Sequence, residues 1–197
     1  MGQALVSCIS EVDYLAGEEL PGERHEFVRG EIFAMSVASK AHGTIAGNVF
    51  ALFRAHLRGT PCRTWTADMK VHINSAGSYY YPDVVATCSP LDLAPDAPKN
   101  YLEAPKLIVE VLSISTEKVD RREKWFAYRQ LTSLEEYVLI DQERQWVEIF
   151  RRSDEGWLHD IVTPGQLLTL NSLGMKLSML EIYEDATVPE SAVSNSP

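Results

Sequence analysis

Cysteine, basic charge and long apolar runs are all scarce in this chain, and each scarcity excludes something. The three cysteines, Cys8, Cys62 and Cys88, are odd in number and far apart. They make no CxxC clip and suggest no disulfide framework, so they read as buried or incidental thiols. No apolar stretch approaches the roughly 20 residues that a membrane span needs. The N-terminal segment MGQALVSCISEVDYLAG lacks a basic start and acquires acids early, which argues against a secretory signal. Gly2 follows Met1, but myristoylation would need a eukaryotic host and a second membrane signal. The expected location is therefore cytoplasmic. Lys and Arg number 18 against 28 Asp and Glu, a net charge of −10. That balance disfavours tight, non-specific binding to phosphate backbones. An acidic protein can still act on DNA when its positive charge is local and a metal sits in the site.

What is present is ordinary for a soluble domain. Apolar residues make up 45% and charged residues 23% of the 197, enough to build one full hydrophobic core. A single domain is expected over residues 1–184. Residues 185–197, polar, acidic and rich in Ala, Ser and Pro, read as a disordered tail. Ser10 is placed to cap a short helix from Glu11 to about Glu19, ended by Pro21–Gly22. HEFVRGEIFAMS (25–36) reads as a hairpin turning at Arg29–Gly30. Ser39 caps a longer helix, about Lys40 to Leu57, with an apolar stripe of Ile45, Val49, Leu52 and Phe53; His42 falls on that stripe. Strand-like runs follow at Cys62–Thr66, Lys70–Ile73 and Tyr80–Thr87. The four-proline stretch 89–105 is a loop. KLIVEVLS (106–113) has the continuous apolar character of a central strand. Ser115 or Thr116 caps a helix running to about Leu131. EEYVLID (135–141), QWVEIFRR (145–152) and WLHDIV (157–162) then read as antiparallel strands. This order predicts an α/β (α+β) fold, a mixed sheet flanked by helices with an N-terminal hairpin and extra antiparallel strands.

Two acids stand where the apolar pattern does not want them. Asp83 follows Pro82 and precedes Val84-Val85-Ala86. Glu110 interrupts Leu107-Ile108-Val109 and Val111-Leu112. A carboxylate inside a central strand is costly unless paired, hydrogen-bonded or bound to a cation. Two on neighbouring strands repel, and a divalent ion such as Mg²⁺ or Mn²⁺ resolves that repulsion with hard oxygen ligands. The alternative is a structural ion pair between Glu110 and a Lys or Arg. On pattern alone both readings stand.

Pro82–Asp83, then a loop, then Glu110 in VEVLS resembles the PD-(D/E)XK motif of restriction-endonuclease-like proteins. The wider sequence resembles one branch of them, the Uma family. The matching pieces are HEFVRGEIFAMS, His42 in its helix, YYPDVVAT, LIVEVLSIST, the spaced Asp120, Lys124 and Tyr128, and EEYVLID. Their order and spacing span about residues 10–180.

The resemblance implies an endonuclease hydrolysing DNA phosphodiester bonds with Mg²⁺ (or Mn²⁺). Asp83 and Glu110 match its metal-binding acids, and the backbone carbonyl of Val111 is a further ligand. The motif lysine is missing, because Leu112 stands two residues after Glu110. Lys124 in the following helix is the replacement, with Lys118 a weaker one. The other reading of Lys124 is a surface lysine snorkelling beside an apolar stripe, and the spacing match to Asp120 and Tyr128 favours the functional one. Glu26 resembles the family's early acid, and its other reading is an exposed hairpin charge. His42 becomes a site-wall residue or proton carrier, against a hydrogen-bonded core histidine. Lys118, Arg121, Arg122 and Arg129 could meet the DNA backbone or could form a solvated face paired with Glu117 and Glu123.

Leu112 and the acidic balance keep a second reading open, a non-catalytic binding module that retains the fold. A third uses the same acids in a phosphodiesterase for a small substrate. A homodimer is expected, since two cuts on duplex DNA suit a two-fold pair. Tyr79, Tyr80, Tyr81 or the Trp146–Phe150 strand would supply its interface.

Overall fold

Ser10 and Ser39 cap the first two helices as expected: the Ser10 hydroxyl accepts from Asp13 N–H and the Ser39 hydroxyl from His42 N–H. The computed structural model describes residues 8–35, 37–113 and 117–189. Helix α1 (Glu11–Glu18) leads into the hairpin β1 (His25–Val28) and β2 (Glu31–Ala34). Arg29 and Gly30, both at positive φ (52° and 90°), make the tight turn that two-residue hairpins favour. Helix α2 (Lys40–His56) is followed by β3 (Arg63–Thr66), β4 (Lys70–Ile73), β5 (Ser78–Tyr80) and β6 (Val84–Thr87). Next come α3 (Pro90–Leu93), β7 (Tyr101–Leu102) and β8 (Leu107–Leu112). A π-helical segment, Val119–Lys124, runs into α4 (Trp125–Tyr128). Strands β9 (Glu136–Asp141), β10 (Val147–Ser153) and β11 (Gly156–Val162) follow. The pair β12 (Leu167–Leu170) and β13 (Met175–Ser178) precedes α5 (Met179–Ile182).

The central sheet has the order β11-β10-β9-β8-β6-β3, and a second sheet runs β2-β1-β5-β4-β7. Both are mixed, with β8 parallel to β9 and β4 parallel to β7. Alternation along β8 sorts its side chains. Leu107, Val109 and Val111 join Ile45, Val49 and Phe53 of α2 in one core cluster. Ile108 and Leu112 join Tyr128, Leu134 and Tyr137 in another, which also takes Val71, Ile73 and Tyr80 from the second sheet. Glu110 shares the parity of Ile108 and Leu112, so it enters the second layer.

Several expectations are corrected. The run Tyr80–Thr87 is not one strand: β5 belongs to the second sheet and β6 to the central one. Pro82, which has no N–H to give a ladder, lies in the crossing, and Asp83 follows at the mouth of β6. The stretch 89–105 contains α3 and the short strand β7. Tyr79, Tyr80 and Tyr81 are buried within the chain, and β10 lies between β9 and β11. The three tyrosines therefore offer no surface for the expected subunit interface, whereas β10 lacks a free edge but Phe150 and the preceding Trp146 remain partly exposed. Cys62 and Cys88 are joined in a disulfide. They extend the β3–β6 register, where Arg63 faces Thr87, by one position. The bond corrects the expected reading of Cys62 and Cys88 as buried or incidental thiols. Cys8 is free and exposed. Ala186 is buried and Val188 packs on the main core. Gln145 N–H donates to the Pro189 carbonyl. Ala186 and Val188 thus touch the core within the stretch expected as a tail, and residues 190–197 lie outside the described residues. So do Ser115 and Thr116. Among the described residues no helix is long and apolar enough to cross a membrane.

Candidate functional site

Continuing the antiparallel register of β6 and β8, in which Val84 faces Val109, sets Asp83 opposite Glu110. The main chain fixes the first of these: Val111 N–H donates to Asp83 Oδ2 at 2.7 Å. His42 Nε2, from the first turns of α2, lies 3.2 Å from the same oxygen. Burial pulls the His42 imidazole down, but Asp83, then Asp120 and the Val111 backbone, outweigh it and hold the pKa above its ordinary value.

Glu110 is sealed in. It is 2% exposed, and its Oε1 accepts from Tyr128 O–H at 3.0 Å and from Lys124 Nζ at 3.2 Å. The Lys124 ammonium also stands 2.9 Å from Glu26 Oε1 and 3.1 Å from Asp120 Oδ1. Glu26 reaches it from β1 and accepts a long bond from Tyr81 N–H, 3.4 Å. Asp120 reaches it from within the π-helical segment. Its Oδ1 is buried and, although ion-paired, has no partner with hydrogen-bond geometry. The Asp120 carbonyl is held by Tyr137 O–H at 3.0 Å. Single π-helical turns are frequent at functional sites, and this one brings Asp120 and Lys124 into contact below Glu110.

Burial pushes the Glu110 carboxyl well above the usual carboxylate range; Lys124 opposes the rise, while Asp120, Asp83 and Glu26 add to it. For Lys124, burial lowers the pKa, but Glu110, Glu26 and Asp120 together hold it well above the usual lysine value. Lys124 is therefore a cation at neutral pH, able to donate but not to accept a proton. Four carboxylates, Glu26, Asp83, Glu110 and Asp120, thus share one ammonium and one imidazole. All six side chains line a single cleft of ≈ 670 Å³ together with Val111 and Ser113. Its rim and walls come from β2 and the loop after it, the start of α2, Thr66 at the end of β3, and Ala67 and Asp68 after it.

A family model for Uma2, described as "Putative restriction endonuclease", matches residues 11–189. The chain belongs to the Uma2 family. Two uncharacterized proteins of Synechocystis sp. are similar to it. One is 34% identical over 176 residues, covering 89% of this chain and 91% of that protein. The other is 32% identical over 156 residues, covering 79% and 88%. A crystal structure from Anabaena variabilis, described as a putative nuclease belonging to DUF820, superposes with a TM-score of 0.71. That match covers 86% of this chain and 96% of the other at 16% identity. The likeness establishes the nuclease-like α+β fold.

Within this Uma2 chain the five candidates read from sequence, Glu26, His42, Asp83, Glu110 and Lys124, meet in the one cleft. Lys118 is exposed and, like Arg121, Arg122 and Arg129, is not among the lining residues. Arg121 is committed to Glu117 at 2.8 Å and Glu148 at 2.6 Å. Asp120 and Tyr128 were not picked out as site residues, although both lie four residues from Lys124. That spacing was the available signal, because i, i+4 places helical side chains together. Tyr81 carried none, since its contact with Glu26 runs through its backbone. Leu112 is buried in the second core cluster, and Lys124 places its charge beside Glu110 from the helix instead.

Proposed function

We propose that this chain is a metal-dependent endonuclease that hydrolyses phosphodiester bonds of DNA. The observation that carries the reading is the excess of carboxylates around one buried ammonium at the floor of an open cleft. Lys124 lies within 3.2 Å of Glu26, Glu110 and Asp120, and Asp83 stands across the ladder, held by the Val111 N–H and the His42 imidazole.

The donor set suits Mg²⁺ or Mn²⁺. Hard oxygen donors come from Asp83 and Glu110, with the Val111 carbonyl as the further ligand that the family resemblance implies. No group of three or more His, Cys, Asp or Glu side chains encloses an ion among the described residues. Mg²⁺ does not need such a cage, since it keeps several waters and binds through one or two carboxylates. When bound, such an ion lowers the pKa of water and polarises a phosphoryl oxygen. The chain's own residues do the remainder. Lys124, kept protonated by its three carboxylates, donates to a phosphate oxygen or to the attacking water as negative charge develops. Glu26 and Asp120 hold that ammonium in place. Tyr128 holds the Glu110 carboxylate, and the Val111 N–H fixes Asp83, so neither acid needs to reorganise during the reaction.

The test is cleavage of plasmid and oligonucleotide DNA with Mg²⁺, Mn²⁺ or EDTA. Cleavage in either metal, absent in EDTA and lowered roughly 100-fold or more in Asp83→Ala and Glu110→Ala, supports the reading. A specific observation favours a second one: Leu112 fills the motif position, and Lys124 is already saturated by carboxylates. Under that reading the fold is a non-catalytic binding module, and no DNA is cut under any condition.

A further inference from the structure

We propose that the cleft takes an unpaired nucleotide, in a single-stranded stretch or at a splayed end, in preference to intact duplex. This rests on the nucleolytic reading of the cleft and adds the form of the substrate.

The floor of the cleft is almost out of reach. Glu110, Asp120 and Lys124 are 2%, 1% and 6% exposed. A phosphate meets them only by entering the concavity, whose ≈ 670 Å³ is of the size that encloses one small-molecule ligand. A stacked duplex presents its phosphates on a wide, stiff cylinder.

Charge points the same way. Duplex DNA carries one negative charge per roughly 1.7 Å of axis and is held by rows of Lys and Arg. Among the described residues the cleft lining includes no arginine, and the one lysine there is already shared by three carboxylates. Nothing along the walls forms a track for two phosphate backbones.

The walls instead offer apolar surface. Phe33, Met35 and Val37 form one of them, and Val37 is 99% exposed. A fully exposed valine beside a buried acidic floor has no packing role in the chain. On α2, Gly43 and Gly47 leave open space in which an added Cβ would meet nothing within 4 Å. An apolar shelf above a phosphate-handling floor suits a base turned out of its stack. Such contact tolerates any base, because every base has an apolar face.

The experiment measures binding by fluorescence anisotropy in Ca²⁺ buffer. It uses a labelled 20-nucleotide single strand, its RNA counterpart, the blunt duplex, and a duplex with one unpaired arm. Cleavage positions on the armed duplex are then mapped with Mn²⁺. The proposal predicts that a single strand binds at least tenfold more tightly than blunt duplex and that cuts fall in or beside the unpaired arm. Either sugar satisfies it, and the tighter of the two strands names the source. Val37→Asp, at a site with no packing to lose, weakens the single strand by roughly 5-fold or more, which corresponds to covering about half of an exposed valine. Duplex bound as tightly as the single strand, cuts confined to paired DNA, or unaltered affinity in Val37→Asp would overturn it. Internal duplex cleavage that disappears in Asp83→Ala sinks this inference and leaves the nuclease reading intact. Absence of any binding or cutting sinks both.

Discussion

Lys124 Nζ lies 3.2 Å from Glu110 Oε1, although the two belong to different elements and Leu112 occupies the position from which the superfamily's motif would send a lysine. The helix after β8 thus brings a lysine ammonium to Glu110 that the strand itself does not supply. The same ammonium contacts Glu26 and Asp120, so it neutralises part of a charge cluster that could not otherwise be buried.

Lys124→Met should therefore damage both activity and stability. Removing one partner of a buried ion pair typically costs about 3–5 kcal/mol. Urea unfolding should show a loss of that order, and cleavage should fall by roughly 100-fold or more. A variant as stable as the parent would mean that the three carboxylates do not depend on Lys124.

Glu110→Gln should act in the opposite sense on stability. The folded-state pKa of Glu110 is raised above its unfolded value. The folded protein then binds the proton more tightly, and its stability falls as pH rises from the ordinary carboxylate value through the folded one. Glutamine removes that loss and leaves Lys124 with two carboxylates. The Tm difference, Glu110→Gln minus parent, should grow between pH 4 and pH 7 while cleavage is abolished. A difference that is flat or shrinks with pH would contradict the raised pKa.

How much of this was legible beforehand depends on residue type and local period. Asp83 and Glu110 stand out because a carboxylate in an aliphatic run has no bland solvent-facing reading. β8, β9 and α2 follow from long, regular patterns. The pair β12 and β13 did not, because four-residue strands such as Leu167–Leu170 are too short to display a period. Tyr80–Thr87 reads as one strand because both of its parts are apolar, and only the missing N–H of Pro82 hinted at the change of sheet. The Cys62–Cys88 bond depends on strand register, which spacing along the chain does not reveal. Asp120 matched the family only by its spacing from Lys124 and Tyr128, and only the fold shows it buried against the ammonium.

Gly43 and Gly47 sit in the interior of α2, and each has room for a side chain. Gly in a helix interior costs about 0.8–1 kcal/mol relative to Ala. Gly43→Ala and Gly47→Ala should each raise the urea midpoint accordingly without altering the unfolding slope. Destabilisation by either would show that the helix needs a conformation only glycine allows.

The disulfide predicts one reactive thiol, Cys8, in the native protein and three after reduction and unfolding. Cross-links closing loops of this length stabilise by about 3 kcal/mol in the chain-entropy picture. Reduction, or Cys62→Ser, should lower the Tm by several degrees. Thiol titration giving three groups in the non-reduced protein would remove the bond from the account.

The central claim concerns a cation between two facing carboxylates, and calorimetric titration of Mn²⁺ into the parent, Asp83→Ala and Glu110→Ala tests it without relying on turnover. Saturable binding near one ion per chain in the parent, lost in both variants while their folds persist by circular dichroism, is the predicted result. Equal Mn²⁺ binding by all three proteins, or none by the parent, would contradict it.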